Sequence, residues 1–127
     1  MNRPRVLVVD DHQAILDLVR DRLADEFEII ATVLDGQAAL DAAVVMKPDA
    51  VVLDISMPRM SGFEVARRLS DLPNPPRIVF LTMNEDRDFM DAAEGMGASG
   101  YVLKRNLRTH LIDALRHALP NWDGVGI

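Results

Sequence analysis

Short apolar runs alternate along the chain with segments in which apolar residues recur every three or four positions. The runs are rich in β-branched residues and read, in chain order, RVLVV, EIIATV, AVVLD, RIVFLT and GYVLK. In the segment after Asp11, the residues Ile15, Leu18, Val19 and Leu23 form one apolar stripe with the period of a helix. Five strands alternating with five helices predict an α/β fold, in which helices cover both faces of a parallel sheet.

The other four helical segments carry apolar stripes of the same kind. The stripes consist of Leu40, Ala43 and Val44; of Phe63, Ala66 and Leu69; of Phe89, Ala92, Ala93 and Met96; and of Leu107, Leu111, Ala114, Leu115 and Ala118. They end near Pro48, the LPNPP segment, Gly97 and Pro120, because proline and glycine stop helices. Asn84 and Asn106 stand where the fourth and fifth helices need N-caps.

The composition of the runs predicts the order of the strands. VLVV, AVVL and IVFL are continuously apolar, which suits strands buried on both faces, whereas EIIATV and GYVLK are more mixed and suit the edges. Right-handed crossovers leave few arrangements of such a sheet. We therefore expect a flavodoxin-like, doubly wound sheet of five parallel strands in the order 2-1-3-4-5, with five helices.

Composition and charge exclude several kinds of protein. The chain has 127 residues, a formal net charge of −6 and no cysteine, which excludes disulfide and thiol chemistry. Without a basic block, direct binding to nucleic acid is not expected. No apolar run approaches the ~18 residues that a membrane span requires, and the first one is interrupted by Asp10. We therefore expect a cytoplasmic protein that does not enter membranes.

Polar side chains stand at the carboxyl ends of four predicted strands. Asp10 and Asp11 follow the first strand, Asp54 ends the third, Thr82 the fourth and Lys104 the fifth. In the order 2-1-3-4-5 these four strands are neighbours, so their ends meet at one rim of the sheet. Three clustered carboxylates form a hard oxygen site that suits Mg²⁺, and a cation would relieve the repulsion between the adjacent Asp10 and Asp11.

Taken singly, most of these residues have an ordinary structural explanation. Asp11 could cap the first helix, because aspartate is a common N-cap. Thr82 could be a strand residue and Lys104 a solvated surface residue. Asp54 is different, because ISMP follows it and no helix begins there for it to cap. The convergence of all of them on one rim favours a functional site.

Four segments resemble the receiver domain of two-component response regulators. They are VLVVDDHQ, PDAVVLDISMPRMSGFEV, RIVFLTM and GASGYVLK, and the resemblance extends from about residue 4 to residue 118. Their details are most similar to receivers that precede a LuxR-type helix-turn-helix domain. The resemblance implies that Asp54 accepts a phosphoryl group from a sensor histidine kinase or a phosphotransfer protein. It also implies that Asp10, Asp11 and Asp54, with the backbone carbonyl of Ser56, hold Mg²⁺.

The resemblance assigns roles to three further residues near the rim. Lys104 would pair with the phosphoryl oxygens, and Thr82 would donate a hydrogen bond to one of them. Tyr101 stands at the aromatic switch position, so phosphorylation would couple Thr82 to Tyr101. The expected consequence is a change at the face formed by the fourth helix, the fifth strand and the fifth helix, leading to partner docking or a phosphorylation-dependent homodimer. The alternative is a surface of first-helix and fifth-helix residues.

The loop after Asp54 follows the family pattern, with two local departures. Met57 and Pro58 would shape this loop, and Gly62 would permit the turn into the third helix. Arg105 stands where many receivers have a proline after a cis peptide bond, so we expect the Lys104–Arg105 bond to be trans. Ser61 stands where many have aspartate. Neither departure removes a group that the chemistry needs.

Residues 1–120 are expected to form the receiver domain and residues 121–127 a short C-terminal tail, with no output domain. Such a chain is not an enzyme beyond its own phosphorylation and dephosphorylation. The alternatives are an aspartyl-phosphate phosphohydrolase, a nucleotide- or flavin-binding module, and a receiver that signals without phosphorylation. A phosphohydrolase would place its nucleophile after the first strand, and a nucleotide site would need a loop rich in Gly, Ser or Thr where DDHQAIL stands.

Overall fold

A five-stranded parallel sheet forms the centre of the computed structural model, which describes residues 3–83, 87–95 and 97–120. The strands are β1 (Arg5–Val9), β2 (Glu28–Val33), β3 (Ala50–Asp54), β4 (Arg77–Thr82) and β5 (Gly100–Leu103). They lie in the order β2-β1-β3-β4-β5, and every neighbouring pair is parallel. The predicted topology is therefore confirmed.

Four helices connect the strands, a fifth follows β5, and together they cover both faces of the sheet. They are α1 (Gln13–Leu23), α2 (Gly36–Met46), α3 (Gly62–Leu69), α4 (Arg87–Gly95) and α5 (Leu107–Ala118). A single 3₁₀ turn, Lys104–Asn106, joins β5 directly to α5. No helix in the described ranges is long and apolar enough to cross a lipid bilayer.

The sheet separates two apolar clusters. Val6 and Val8 of β1 face α1 and α5, whereas Leu7 and Val9 face the opposite cluster, which contains residues of α2, α3 and α4. This alternation explains why the run VLVV is apolar at every position, since both faces of β1 are covered. All five residues of β3 are buried, whereas the edge strand β2 has no fully buried residue.

The buried stripe of α1 differs from the predicted one by one position. Leu16, Val19 and Leu23 are the fully buried residues of this helix, while Ile15 and Leu18 are only partly buried. The apolar arc of α1 is wider than a single stripe, so the sequence alone does not fix its centre. Contact with the sheet turns Leu16 into the core and leaves Ile15 and Leu18 at its margin.

The prediction for α2 was wrong at Val44, which is 58% exposed. The buried side of α2 consists of the small residues Gly36, Ala39 and Ala43. A Cβ added to Gly36 would lie 2.9 Å from the sulfur of Met60 and equally close to a methyl group of Val65. Because α2 packs this closely, small residues face the interior and the larger Val44 is turned towards solvent.

Helix caps were predicted only in part. His12 rather than Asp11 occupies the N-cap of α1, and its side chain makes no capping hydrogen bond. Asn106 occupies the N-cap of α5, also without a side-chain cap, because the preceding 3₁₀ turn supplies a backbone acceptor, Lys104 O, to Leu107 N. Ser61, in contrast, caps α3 by accepting a hydrogen bond from Glu64 N.

Several expectations concern residues outside the described part of the chain. The N-cap assigned to Asn84, the tail of residues 121–127, and the side chains of Phe89 and Met96 in the fourth stripe belong to this group. Ala93 of the same stripe is buried, whereas Ala92 is exposed.

Candidate functional site

The carboxyl ends of neighbouring strands bring the predicted polar residues to one rim. Asp10 directly follows β1, Asp54 is the last residue of β3 and Thr82 is the last residue of β4. These three are the buried polar or charged residues of the described chain. Lys104 directly follows β5 as the first residue of the 3₁₀ turn. The order of the strands therefore brings these four residues to the same rim of the sheet.

The ammonium group of Lys104 contacts two of the carboxylates. Its Nζ lies 2.8 Å from Asp10 Oδ2 and 3.3 Å from Asp54 Oδ1, with all three side chains nearly inaccessible to solvent. Burial lowers the pKa of Lys104, but its hydrogen bond with Asp10 and the negative charge of Asp54 outweigh that effect. The pKa of Lys104 therefore lies above its ordinary value, and the side chain is a cation.

Asp10 is held from several sides. Its backbone N–H donates to Val33 O, and its Oδ1 accepts a hydrogen bond of 2.9 Å from the backbone N–H of His12. Lys104 occupies the other oxygen. A completely buried carboxylate with this many charge-assisted contacts is fixed in one orientation.

Asp54 has a strongly perturbed environment. Burial is the main reason that its pKa is raised to about 7, and the negative charge of Asp10 raises it further. The charge of Lys104 opposes both effects, while contact with the Asp11 carboxyl adds to them. This carboxylate therefore carries its charge at a considerable cost, which a second cation would reduce.

The arrangement of the acids fits a divalent cation. When Asp54 is ionised, its buried Oδ2 has no hydrogen-bond donor among the described residues. Potential ligand atoms of Asp10, Asp11, His12 and Asp54 all lie within 4.8 Å of one another. Mg²⁺ and similar hard cations prefer carboxylate oxygens, and Asp54 Oδ2 is an acceptor of this kind without a partner. Ser56 is exposed just beyond β3, and the part assigned to its backbone carbonyl stays a prediction.

The loop after Asp54 requires glycine at position 62 because the backbone approaches itself there. A Cβ on Gly62 would lie 2.2 Å from the carbonyl oxygen of Asp54 and 2.8 Å from the Cα of Ile55. The Gly62 N–H donates a 2.7 Å hydrogen bond to Ile55 O, which closes the loop. Glycine at this position was expected for its conformational freedom in a turn, but the structure shows that a side chain would not fit.

Other residues of this loop have distinct surroundings. Met57 is buried in the cluster beneath α2 and α3, whereas Pro58 is exposed and accepts a backbone hydrogen bond from Met60. Arg59 has a φ of 69°, a left-handed conformation that the sequence did not predict. On the other side of the site, the Lys104–Arg105 bond is trans, as predicted.

Tyr101 lies on β5 beside Phe80 of β4. Its ring is half-buried and packs against the cluster beneath α2, α3 and α4. A cavity of about 190 Å³ adjoins it, lined also by Met90 and Ala93 of α4. The space between β5 and α4 is therefore available to a tyrosine that changes its rotamer.

His12 is the site residue that sequence reasoning did not select. Its Nδ1 lies 3.1 Å from Asp11 Oδ1 and 3.3 Å from Asp10 Oδ1, although 68% of its side chain is exposed. Its position immediately after the aspartate pair was the available signal.

Comparisons with known proteins agree with this geometry. Residues 6–116 match the family model described as the response regulator receiver domain. The chain is 32% identical to the transcriptional regulatory protein DegU of Brevibacillus brevis over 117 residues, which cover 91% of this chain and 50% of DegU. The chain thus spans about half the length of the curated relatives it matches.

Solved structures show the same fold. A LuxR-family two-component response regulator from Aurantimonas sp. SI85-9A1 superimposes with a TM-score of 0.86 at 29% identity, covering 94% of this chain and 87% of that one. The chemotaxis protein CheY4 of Vibrio cholerae gives a TM-score of 0.81 at 29% identity, covering 92% and 99%. The resemblance seen in the motifs is therefore confirmed over nearly the whole chain, and this chain belongs to the response regulator receiver domain family.

Proposed function

We propose that Asp54 is the phosphorylated residue of this receiver domain and that Asp10, Asp11 and Asp54, with the Ser56 carbonyl, hold Mg²⁺ during the reaction. The observation that carries the proposal is the state of the Asp54 carboxylate. It is buried, its Oδ1 is paired with Lys104, and its Oδ2 lacks a donor in the described chain. A carboxylate that is poorly solvated in this way is a reactive nucleophile, and a nearby cation would offset the charge of the acyl phosphate.

The chemistry requires positioning and charge neutralisation more than covalent assistance. An Asp54 oxygen forms a bond to phosphorus while the P–N bond of a phosphohistidine donor breaks, and the electron pair stays on the imidazole nitrogen. Lys104 already lies 3.3 Å from Asp54 Oδ1 and can neutralise part of the added charge. Thr82, at the end of the neighbouring strand, would donate its hydroxyl proton to a phosphoryl oxygen. Bound Mg²⁺ would supply further neutralisation of the oxygens that carry the charge.

The partners follow from this reaction. The phosphoryl donor is a sensor histidine kinase or a phosphotransfer protein, and because such donors obtain phosphate from ATP, the proposed location is the cytoplasm. The activity belongs to the chain's own phosphorylation and dephosphorylation, with no other substrate. Residues 1–120 act as the receiver, and with a net charge of −6 the chain leaves contact with nucleic acid to other proteins or domains.

Phosphorylation is tested by incubating the chain with acetyl phosphate and Mg²⁺ and measuring its intact mass. The parent chain should gain one adduct of about 80 Da, the mass of a transferred PO₃ group. Asp54→Asn should gain none, whereas Asp25→Asn, a control in the exposed turn after α1, should react like the parent. An adduct that persists in Asp54→Asn, or that forms equally in excess chelator, would rule out the proposed site.

The output of the site is proposed to be a switch that couples Thr82 to Tyr101. Movement of the Thr82 hydroxyl towards a phosphoryl oxygen would free space for the Tyr101 ring, which adjoins the cavity next to α4. The resulting change at the α4, β5 and α5 face would promote a homodimer or partner docking. Shifting a two-state equilibrium from 1:99 to 99:1 takes about 5.5 kcal/mol, which a few charge-assisted hydrogen bonds and a buried ring can supply.

The switch is tested with beryllofluoride as a phosphoryl mimic. Sedimentation should show a larger dimer fraction for the parent chain with the mimic, and a weaker response for Thr82→Ala and Tyr101→Ala. Gln37→Ala, on the exposed side of α2 and outside this face, is the control and should respond like the parent. If both switch variants dimerise as strongly as the parent, or if the parent stays monomeric with no change in NMR signals on this face, the coupling is refuted.

A further inference from the structure

The imidazole of His12 lies against the acid cluster rather than pointing away from it. Its Nδ1 is 3.1 Å from Asp11 Oδ1 and 3.3 Å from Asp10 Oδ1. The backbone N–H of the same residue donates to Asp10 Oδ1, which fixes the start of α1 over the site. The ring nitrogen is thus held next to two carboxylates by both its side chain and its backbone.

The spacing of these atoms matches that of ligands around one metal ion. Adjacent ligand atoms about 2.1 Å from a common metal lie about 3.0 Å apart in an octahedral site and about 3.4 Å apart in a tetrahedral one. The two distances from His12 Nδ1, 3.1 Å and 3.3 Å, lie between these values. All four candidate ligand atoms, including one from Asp54, fit within 4.8 Å, close to the span of two opposite ligands.

A second, independent observation indicates that a cation belongs there. Asp54 is only 2% exposed, and its Oδ2 has no donor in the described part of the chain. Lys104 is committed to the other Asp54 oxygen and to Asp10. An ion bound between Asp54 Oδ2 and the Asp11 carboxylate would therefore lie within reach of the His12 ring.

We propose that His12 is an additional metal ligand of this site and that it makes the site prefer first-row transition cations to Mg²⁺. Imidazole nitrogen is a good ligand for Ni²⁺, Zn²⁺ and related ions, whereas Mg²⁺ is bound almost entirely through oxygen. With three carboxylates and one imidazole, the site should bind Mn²⁺ more tightly than Mg²⁺, and Ni²⁺ more tightly than Mn²⁺. The inference rests on the proposed acid site but not on phosphorylation itself.

The competing explanation is that His12 is a surface residue whose ring simply pairs with nearby acids. In that case the imidazole competes with any cation for the carboxylates, and its removal should strengthen the binding of Mg²⁺ and of transition cations alike. As a ligand, it should instead contribute to the binding of transition cations and contribute little to that of Mg²⁺. The two explanations therefore predict opposite effects for the same substitution.

The test compares His12→Phe, which keeps a ring but removes both nitrogens, with the parent and with His110→Phe, an exposed histidine of α5. Isothermal titration calorimetry with Mg²⁺, Mn²⁺ and Ni²⁺ gives the affinities. In His12→Phe, the Ni²⁺ affinity should fall about tenfold or more, while the Mg²⁺ affinity stays within about twofold. His110→Phe should match the parent with all three ions. Pulsed EPR of the Mn²⁺ complex should show ¹⁴N coupling in the parent that is absent from His12→Phe.

Two results would overturn the assignment of His12. One is an equal change in the affinity for all three ions, and the other is a parent Mn²⁺ complex without ¹⁴N coupling. Neither result would contradict the proposed function, because that function rests on Asp10, Asp11 and Asp54 and is tested by the mass of the phosphorylated chain. If the acid site itself were wrong, Asp11→Asn would leave the affinities for all three ions unchanged.

Discussion

Lys104 Nζ lies closer to Asp10 Oδ2, at 2.8 Å, than to Asp54 Oδ1, at 3.3 Å. Lys104 therefore pairs with Asp10 at least as closely as with Asp54, the proposed phosphoacceptor. The three side chains are nearly inaccessible to solvent, and the ammonium group of Lys104 is the cation that offsets the charge of both carboxylates. Lys104 is thus a structural counter-ion of the resting site as well as a group facing the proposed phosphoryl position.

Replacing Lys104 should destabilise the metal-free fold. Lys104→Met leaves the buried Asp10 and Asp54 without their cation, and loss of one partner of a buried ion pair costs about 3–5 kcal/mol. Urea unfolding in the presence of chelator measures the change in the free energy of unfolding. Arg108→Met, which removes an exposed cation of α5, should change it by less than about 0.5 kcal/mol. Equal effects of the two substitutions would contradict the counter-ion role.

Mg²⁺ should stabilise the unphosphorylated domain. A divalent cation relieves repulsion among Asp10, Asp11 and Asp54, so thermal unfolding should occur at a higher temperature in millimolar Mg²⁺ than in chelator. Asp11→Ala removes one source of repulsion, and we expect it to raise the melting temperature without metal and to reduce the gain from Mg²⁺. A parent melting temperature that does not respond to Mg²⁺ would argue against the metal site.

The pKa of Asp54 predicts how stability depends on pH. Its folded value of about 7 exceeds the value of about 3.9 expected in the unfolded chain. Between these values the folded state retains a proton that the unfolded state loses. This contribution to stability is complete below about pH 4 and is lost as the pH rises through 7.

The corresponding measurement compares the parent with Asp54→Asn in metal-free buffer, so that titration of other groups cancels. The free energy of unfolding of the parent, relative to that of Asp54→Asn, should fall between pH 5 and pH 8 by a few kcal/mol at most. Asp41→Asn, an exposed substitution on α2, should show no such trend relative to the parent. A difference that rises with pH would mean that Asp54 is stabilised rather than destabilised as an anion.

Gly62 and Gly95 should respond oppositely to alanine. In Gly62→Ala, the new Cβ would meet the Asp54 backbone, so we expect a loss of about 1–3 kcal/mol or more in the free energy of unfolding, together with slower phosphorylation. A Cβ at Gly95 meets no described atom within 4 Å, and alanine there should stabilise α4 by about 0.5–1 kcal/mol. Urea unfolding measures both, and the same sign for the two would refute the steric explanation.

The sequence was most informative where the position of a residue is set by topology. Asp54 and Lys104 lie together because each stands at the carboxyl end of a strand and because β3, β4 and β5 are neighbours. The composition of the apolar runs separates central from edge strands, and right-handed crossovers leave few orders, so side chains at the strand ends are placed without knowledge of any contact. The same reasoning brought Asp10 and Thr82 to the rim.

The sequence was least informative where packing distance or side-chain orientation decides. It did not show that Gly62 lies against the backbone of Asp54, because a sequence pattern does not indicate how closely two segments approach. It also did not show that Lys104 would contact Asp10 as well as Asp54, because the orientation of the lysine side chain depends on both neighbouring carboxylates. Val44 was assigned to the core because apolar stripes were counted without considering how tightly small residues let α2 pack.

The all-buried strand β3 has a consequence for amide exchange. Its backbone is hydrogen bonded to β1 on one side and to β4 on the other, so exposing its amides requires breaking the sheet at its centre. Lys104, by contrast, follows the four-residue edge strand β5, which has a neighbour on one side within the described chain. The amides of β3 should therefore exchange with solvent deuterium only on global unfolding, and those around Lys104 through local opening. When the charge at Asp54 changes, we therefore expect Lys104 and its backbone to move, while β3 keeps Asp54 in place.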